Sequence, residues 1–259
     1  MGYLDLLCCP ECRGKLKGDK NIKCTSCKAG FQWVDNVLVL LPESKHQIDQ
    51  KSGSILEKSS RNWGIQWKNA SFNPDTNYYS TEKAYNEFIK IKKEEYSGKN
   101  VLVLGIGYGK DLYHIRKYKP KCIIAVDICP YIFEARKKIK DKNIIFVRAD
   151  ILDFPFCKGY DVIVSDRVLH HLTDWKKPIA DSYNALGKGG LFACCVISKD
   201  NNNALKIVKP FRGIINSLPL PILYAASFVF AVALWTYIQL YLALHRLRIV
   251  PRDIQNEYW

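Results

Sequence analysis

Four cysteines near the N-terminus have the spacing of a metal site. Cys9 and Cys12 form one Cys-x-x-Cys pair, and Cys24 and Cys27 form a second. Each pair can present two thiolates to one tetrahedral Zn²⁺, so together they predict a closed, structural Cys₄ site. The alternative is a set of unrelated buried cysteines. A module of about 40 residues has a small core, so we expect zinc to supply much of its folding free energy.

A glycine-rich turn follows the first apolar run of the central region. The run Val101–Leu104 leads into Gly105, Gly107 and Gly109, and a predicted helix follows. Glycine permits a tight turn and lets backbone N–H groups approach a ligand, and the helix N-terminus favours an anionic group. The dinucleotide-binding pattern needs a small residue where Lys110 stands, so the turn disfavours an NAD enzyme.

Acidic residues end the next two apolar runs. Asp127 lies about 20 positions after the glycine turn, where a carboxylate can accept hydrogen bonds from ribose hydroxyls. Asp150 follows the third run, where it could bind an adenine amino group. Ligands of parallel sheets bind at the carboxyl ends of the strands, so these side chains and the turn predict one site.

The scaffold that positions these residues is predicted from alternating elements. Apolar runs and helical stretches alternate from residue 100 onward, which is typical of a parallel sheet covered on both faces. We predict strands at Val101–Leu104, Cys122–Val126, Ile144–Val147, Asp161–Val164 and Leu191–Ile197, and helices at 82–95, 109–117, 130–141 and 175–186.

Residues 98–199 resemble a class I S-adenosylmethionine-dependent methyltransferase of the ubiquinone/menaquinone-methylase type. The resemblance rests on the glycine turn at 105–109, Asp127, Asp150-Ile151, Tyr160–Ser165, Val168–Leu172 and Leu186–Gly190. It implies an α/β fold with a Rossmann-like doubly wound sheet, and S-adenosylmethionine as cofactor.

The resemblance also implies a role for each cofactor-binding residue. The three glycines would approach the methionine part, Asp127 would hold the ribose, and Asp150 with Ile151 would frame the adenine. The loop from Ser165 to His171 would lie near the methyl group. The expected cofactor-binding residues are Gly105, Gly107, Gly109, Asp127, Ile128, Asp150, Ile151 and Ser165.

The N-terminal segment is similar to the short zinc ribbon found at the start of many bacterial and archaeal methyltransferases. Leu6-Leu7, the four cysteines, Asp35 and Val37-Leu38 match its pattern. Asn36 stands where glycine is usual, and asparagine also tolerates a left-handed turn.

Two positions depart from the methyltransferase pattern. Val103 stands where the family usually has Asp or Glu, and Tyr108 replaces a small residue. Either these departures weaken cofactor binding, or Asp111 compensates for the missing acidic residue. A non-catalytic scaffold is therefore one of the alternatives.

Methyl transfer needs a base only when the acceptor is protonated. His170 and His171 are the candidates, since imidazole titrates near neutral pH. Adjacent residues point in different directions, so one of them would act. The alternative is that a histidine caps or packs the loop.

The tail is apolar. Residues 213–244 contain no Asp, Glu, Lys or Arg, and Pro221–Leu244 is long enough to span a bilayer. The alternatives are an interfacial helix, a span, and a membrane-adjacent lid over the active site, of which we favour the lid over the span. The basic residues that flank the run are Lys206, Lys209, Arg212, Arg246, Arg248 and Arg252.

Four regions are expected: a zinc ribbon at 1–42, a linker and helical segment at 43–97, the cofactor-binding core at 98–200, and the apolar segment at 201–259. The family's last edge strands are missing or the chain is shortened, and a second subunit could cover the open edge in a homo-oligomer.

The net charge of +14 is spread along the chain, which favours an anionic membrane surface over nucleic acid as a partner. No signal peptide is visible, so we expect a cytoplasmic, membrane-associated protein that methylates a small or lipid-linked acceptor. The alternatives are an rRNA or tRNA base methyltransferase and a non-catalytic membrane-associated scaffold.

Overall fold

The structure is a computed structural model that describes residues 2–45, 62–65, 67, 81–197, 210 and 217–247. The chain forms two compact units, Met1–Val196 and Ile197–Trp259. The predicted linker lies mostly outside the described residues, as do all the flanking basic residues of the tail except Arg246.

The described residues of the first unit form one sheet of nine strands, in the order β1-β2-β3-β4-β7-β6-β5-β8-β9. Neighbouring strands are antiparallel along the first part of this order, from β1 to β4. They are parallel along the rest, from β4 through β7, β6, β5 and β8 to β9. The strands are β1 Leu16–Lys17, β2 Asn21–Cys24, β3 Gly30–Val34, β4 Val37–Leu40, β5 Asn100–Leu104, β6 Cys122–Asp127, β7 Ile144–Ala149, β8 Tyr160–Asp166 and β9 Leu186–Cys195.

Short helices connect the parallel strands. They are α1 Glu82–Ile89, α2 Lys110–Ile115, α3 Ile132–Lys138 and α4 Lys176–Ala185. Helix α1 begins where the Thr81 hydroxyl accepts the Ala84 N–H, and it ends before the predicted residue 95 because Lys90 adopts a left-handed conformation. The predicted α/β class and doubly wound sheet are confirmed.

The parallel strands are buried on both faces. Leu102 and Leu104 of β5 pack in one apolar cluster, whereas Val101 and Val103 pack in the other. Successive side chains of a strand point to opposite faces, so a run of consecutive apolar residues is what a sheet covered on both sides requires.

The ribbon and the core share this sheet. A two-residue turn joins β3 to β4, and both Asp35 and Asn36 have the left-handed φ that such a turn needs, 48° and 59°. Strand β4 then pairs in parallel with β7, from Val37 opposite Phe146 to Leu40 opposite Ala149. The boundary between ribbon and core stays a prediction, but their backbones are joined by one ladder.

The second unit contains a long apolar helix, α5, Leu220–Arg246. By length and composition its stretch Pro221–Arg246 could cross a membrane, with a mean hydropathy of 1.7 and none of that window buried. At about 1.5 Å per residue the helix exceeds the roughly 30 Å hydrocarbon core of a bilayer. The described residues after β9 contain no further strand.

Candidate active site and metal centre

The four predicted metal ligands converge in the ribbon. Their sulfur atoms all lie within 4.8 Å of one another. The Sγ atoms of Cys9 and Cys27 are 3.6 Å apart, and those of Cys12 and Cys24 are 3.4 Å apart. Sulfur ligands about 2.3 Å from a tetrahedral Zn²⁺ would be about 3.8 Å from one another, so this donor set fits zinc.

Backbone geometry favours the thiolate form of one of the four cysteines, Cys24. The Ser26 N–H points at the Cys24 Sγ at 3.4 Å. Burial alone would raise the pKa of Cys24, but hydrogen bonds from the Cys27 and Ser26 N–H groups outweigh burial and lower this pKa to about 6. Metal ligands must be deprotonated, so the backbone prepares this cysteine for a metal.

The glycine turn has the backbone that its sequence predicts. Gly105, Gly107 and Gly109 have φ angles of 77°, 53° and 91°, in the left-handed region that favours glycine. A Cβ at Gly105 would collide with the side chain of Val168. The turn therefore requires glycine there for two reasons, the backbone conformation and the close approach of the loop that follows β8.

Asp127 holds the glycine turn. One of its carboxylate oxygens accepts the Gly107 N–H at 2.8 Å, and the other accepts the Cys129 N–H at 2.8 Å. Burial raises the pKa of Asp127 above its usual value, although these N–H groups act in the opposite direction. Ile128 follows, and its carbonyl accepts a hydrogen bond from the Arg148 guanidinium at 3.1 Å.

Asp150 lies at the same edge of the sheet and is paired with Lys45, which follows the ribbon. Its buried carboxylate accepts a hydrogen bond from the Lys45 ammonium at 2.6 Å, and the same ammonium binds Asp153 at 2.9 Å. The other carboxylate oxygen of Asp150 accepts the Leu152 N–H at 2.9 Å. Ile151 is buried beside it in the apolar core.

The end of β8 carries orphaned polar atoms. Among the described residues, the buried Ser165 hydroxyl and both enclosed ring nitrogens of His170 have no hydrogen-bond partner. Buried polar groups normally have partners, so these atoms are available to a ligand. They lie at the carboxyl ends of the parallel strands, which fits a cofactor or an acceptor at this edge.

The two histidines lie together on this loop. The ring centroids of His170 and His171 are 4.0 Å apart. Burial lowers the pKa of each, and the Arg167 cation lowers that of His170 further. Both imidazoles are therefore neutral at pH 7 and can accept a proton.

Two tryptophans that no sequence motif marked as site residues cover this region. Trp63 and Trp67 are stacked with their centroids 5.3 Å apart, and Trp63 meets His171 at 4.8 Å. Trp67 lies against Tyr108, with centroids 5.1 Å apart, and over Gly107. The signal in the sequence was their four-residue spacing, which places both on one side of a helix.

A buried ion network ties the glycine turn to the end of β8. The Lys110 ammonium lies 2.5 Å from the Asp166 carboxylate and 3.2 Å from that of Asp111. The Arg167 guanidinium binds Asp166 at 2.9 Å. Asp111, which could compensate for the missing acidic residue at Val103, is thus buried in contact with the Lys110 ammonium. Burial raises the pKa of Asp111 to about 6. The network was missed because no local pattern relates these positions.

Comparisons with known proteins found similarity to methyltransferases. A family model described as a methyltransferase domain matches residues 102–194. Among solved structures, the chain is similar to the N-methyltransferase NodS from Bradyrhizobium japonicum in complex with S-adenosyl-L-homocysteine, with 20% identity, 52% of this chain and 71% of that chain covered, and a TM-score of 0.47.

Two other solved structures are similar to this chain, with sequence identities of 20% and 16%. A methyltransferase dependent on S-adenosylmethionine, from Mesorhizobium loti, has 20% identity over 47% of this chain and 54% of its own, with a TM-score of 0.40. The DhpI–SAM–HEP complex has 16% identity over 62% of this chain and 73% of its own, with a TM-score of 0.48. The chain thus spans about half the length of the Mesorhizobium loti protein.

The family match covers the glycine turn, Asp127, Asp150 and the histidine loop, and the strands it contains have the parallel order β7-β6-β5-β8-β9. Residues 102–194 therefore form a methyltransferase domain with a parallel, Rossmann-like sheet.

Proposed function

We propose that this chain transfers a methyl group from S-adenosylmethionine to a small or lipid-linked acceptor. The observation that carries the proposal is the left-handed glycine turn held by Asp127 at the carboxyl edge of the sheet. The orphaned Ser165 hydroxyl and His170 ring nitrogens at the same edge support it. The match to a methyltransferase domain supplies the reaction class.

The protein's part in such a reaction is mainly positioning. When bound, S-adenosylmethionine supplies an electrophilic methyl group on a sulfonium, and the leaving group is a neutral thioether. The acceptor, the methyl carbon and the sulfur must align with reacting atoms about 3 Å apart. Asp127 would hold the ribose, Asp150 with Ile151 would frame the adenine, and a neutral histidine would take the proton of a protonated acceptor.

Cofactor binding tests the first step of this proposal. We expect the full chain to bind S-adenosylhomocysteine in calorimetry and Asp127→Ala to weaken binding at least tenfold, because it removes the carboxylate that would meet the ribose and also holds the turn. Glu134→Ala, which removes an exposed partner of Lys137, is the matched control and should bind normally. Wild-type protein that does not bind would refute the proposal, as would Asp127→Ala with normal affinity.

The acceptor and the base are tested together by methyl-label transfer into fractionated lipid, RNA and protein pools. We expect label in the lipid or small-molecule fraction, and we expect His170→Asn or His171→Asn to reduce it about 10²-fold at unchanged cofactor affinity. Because both pKa values are lowered, the reaction should slow only below about pH 6.5, where the base becomes protonated.

Two results would count against these assignments. Label in RNA would favour the base-methyltransferase alternative over a lipid acceptor. Full activity in both histidine variants would remove the histidine base, and the loop would then have only a packing role.

We also propose that the ribbon binds one structural zinc ion. The four convergent sulfur atoms and the N–H groups aimed at Cys24 support this. We expect about one zinc per chain in elemental analysis and its loss in Cys24→Ser, because three ligands leave the closed site incomplete. Cys194→Ser, at an exposed cysteine of β9, should keep the metal. Folded, metal-free wild-type protein would contradict the zinc site.

A third proposal concerns the tail, for which we infer contact with a lipid membrane. Helix α5 exposes large apolar side chains such as Phe228, Phe230 and Trp235, with exposed fractions of 63% or more. Large exposed apolar surfaces are typical of sites that contact a membrane or a partner protein, and the helix is long enough to enter a bilayer. A lid over the active site is the other use for this surface.

Vesicle co-sedimentation tests the tail. We expect the full chain to bind vesicles that contain anionic lipid, and Phe228→Asp to weaken binding, because a charge deep in the membrane costs about 3 kcal/mol. Tyr183→Asp, at an exposed aromatic residue of α4 in the first unit, is the matched control. Equal binding by both variants would show that α5 does not carry membrane affinity.

A further inference from the structure

The loop at residues 150–157, which follows β7, is in contact with the ribbon along its length. Leu7 and Phe156 form an antiparallel bridge. On either side of it, the Cys8 N–H donates to the Pro155 carbonyl at 3.0 Å, and the Cys157 N–H donates to the Leu6 carbonyl at 2.9 Å. The first residues of the ribbon thus pair with this loop as a strand would.

Arg13 provides a second connection, directly beside a metal ligand. It follows Cys12, has a left-handed φ of 63°, and donates its N–H to the Cys9 carbonyl at 2.9 Å. Its guanidinium donates to the carbonyl oxygens of Phe154 and Phe156. The direction of the Arg13 side chain therefore depends on the shape of the Cys9–Arg13 turn, which a metal would fix.

Lys45 provides the third connection, from the chain just after the ribbon. Its ammonium binds Asp150 at 2.6 Å and Asp153 at 2.9 Å, across 105 positions of sequence in the first case. Burial alone would lower the pKa of Lys45, but the hydrogen bonds to the two carboxylates outweigh burial and raise it. The lysine therefore stays charged and neutralises two adjacent acidic groups that would otherwise repel each other.

The Lys45 turn is itself tied to the first Cys-x-x-Cys pair. The Glu43 N–H donates to the Glu11 carboxylate at 2.9 Å, and Glu11 lies between Cys9 and Cys12. A continuous set of contacts thus runs from the metal ligands through Glu11 and Lys45 to the Asp150 carboxylate.

We propose that the ribbon is a positioning module for cofactor binding, in which a metal fixes the Cys9–Arg13 turn and Arg13 and Lys45 hold the 150–157 loop to receive the adenine. The inference rests on the proposed function, since it takes Asp150 and Ile151 as the adenine frame. Arg13 and Lys45 are positioning residues, because they act through the loop.

Calorimetry with S-adenosylhomocysteine and the zinc-loaded full chain tests the Lys45 connection. Lys45→Met keeps the length of the side chain and removes its charge, and we expect about tenfold weaker binding, the effect of losing one charged hydrogen bond. Lys83→Met removes a lysine that is largely exposed and lies 4.0 Å from its partner, so its affinity should equal that of the wild type. Lys45→Arg should restore part of the loss.

A second variant separates positioning from direct contact with the cofactor. Asp153→Asn removes the charge of one partner of Lys45 and leaves Asp150 intact, and we expect affinity to fall several-fold with the fold unchanged by circular dichroism. Normal affinity in both Lys45→Met and Asp153→Asn would overturn the inference while the proposed function stands. Wild-type protein without cofactor affinity would overturn both.

Hydrogen exchange tests the metal connection without measuring activity. After zinc removal with a chelator, we expect faster amide exchange at 150–157, unchanged exchange in the central strand β5, and weaker S-adenosylhomocysteine binding, all reversed by added zinc. Loss of zinc with equal protection of the loop would overturn the inference. A general rise in exchange that includes β5 would also contradict it, because the ribbon would then stabilise the whole fold and not this loop.

Discussion

A short parallel ladder between β4 and β7 holds the ribbon and the methyltransferase domain in one sheet. Without it β7 would be an edge strand, with a row of unpaired backbone groups beside apolar side chains. Strand β4 covers that edge, and its fully buried Leu38 and Leu40 enter the same apolar cluster as Val147 and Ala149 of β7. Backbone pairing and core packing therefore act together on three of the four residue pairs, all but Val39 opposite Arg148, so a shift of register would disturb both.

The direction of this ladder determines what the ribbon can reach. Parallel strands have their carboxyl ends at one edge of the sheet, and in this fold that edge carries Asp127, Asp150 and Ser165. Because β4 ends at Leu40, opposite Ala149, the chain that leaves the ribbon arrives beside Asp150, and Lys45 meets it. If β4 were antiparallel to β7, the same lysine would lie at the opposite edge of the sheet, away from Asp150. The topology thus supports the proposed coupling of metal and cofactor.

Much of the core and of the candidate site could be predicted from local patterns. The parallel strands lie close to the predicted runs because both faces are buried, and the glycine turn and Asp127 are marked by their spacing. The contacts of Lys45 and Arg13 could not be predicted in this way. Each joins segments more than 100 positions apart, and Lys45 lies at the start of a polar stretch that looks like a linker. Pairing at such distances depends on the assembled sheet, for which a single sequence has no local signal.

Val103 illustrates how one departure from the family pattern can be compatible with the site. Its side chain is fully buried in the core beside Ala125 and Val164, so a carboxylate there would need a partner inside the sheet. The turn is held instead from the next strand: Asp127 binds the Gly107 N–H, and the Val126 carbonyl accepts the Gly105 N–H at 2.8 Å. The valine adds apolar packing beneath the turn while β6 supplies its polar contacts, which is why a missing acidic residue in β5 does not by itself argue for a non-catalytic scaffold.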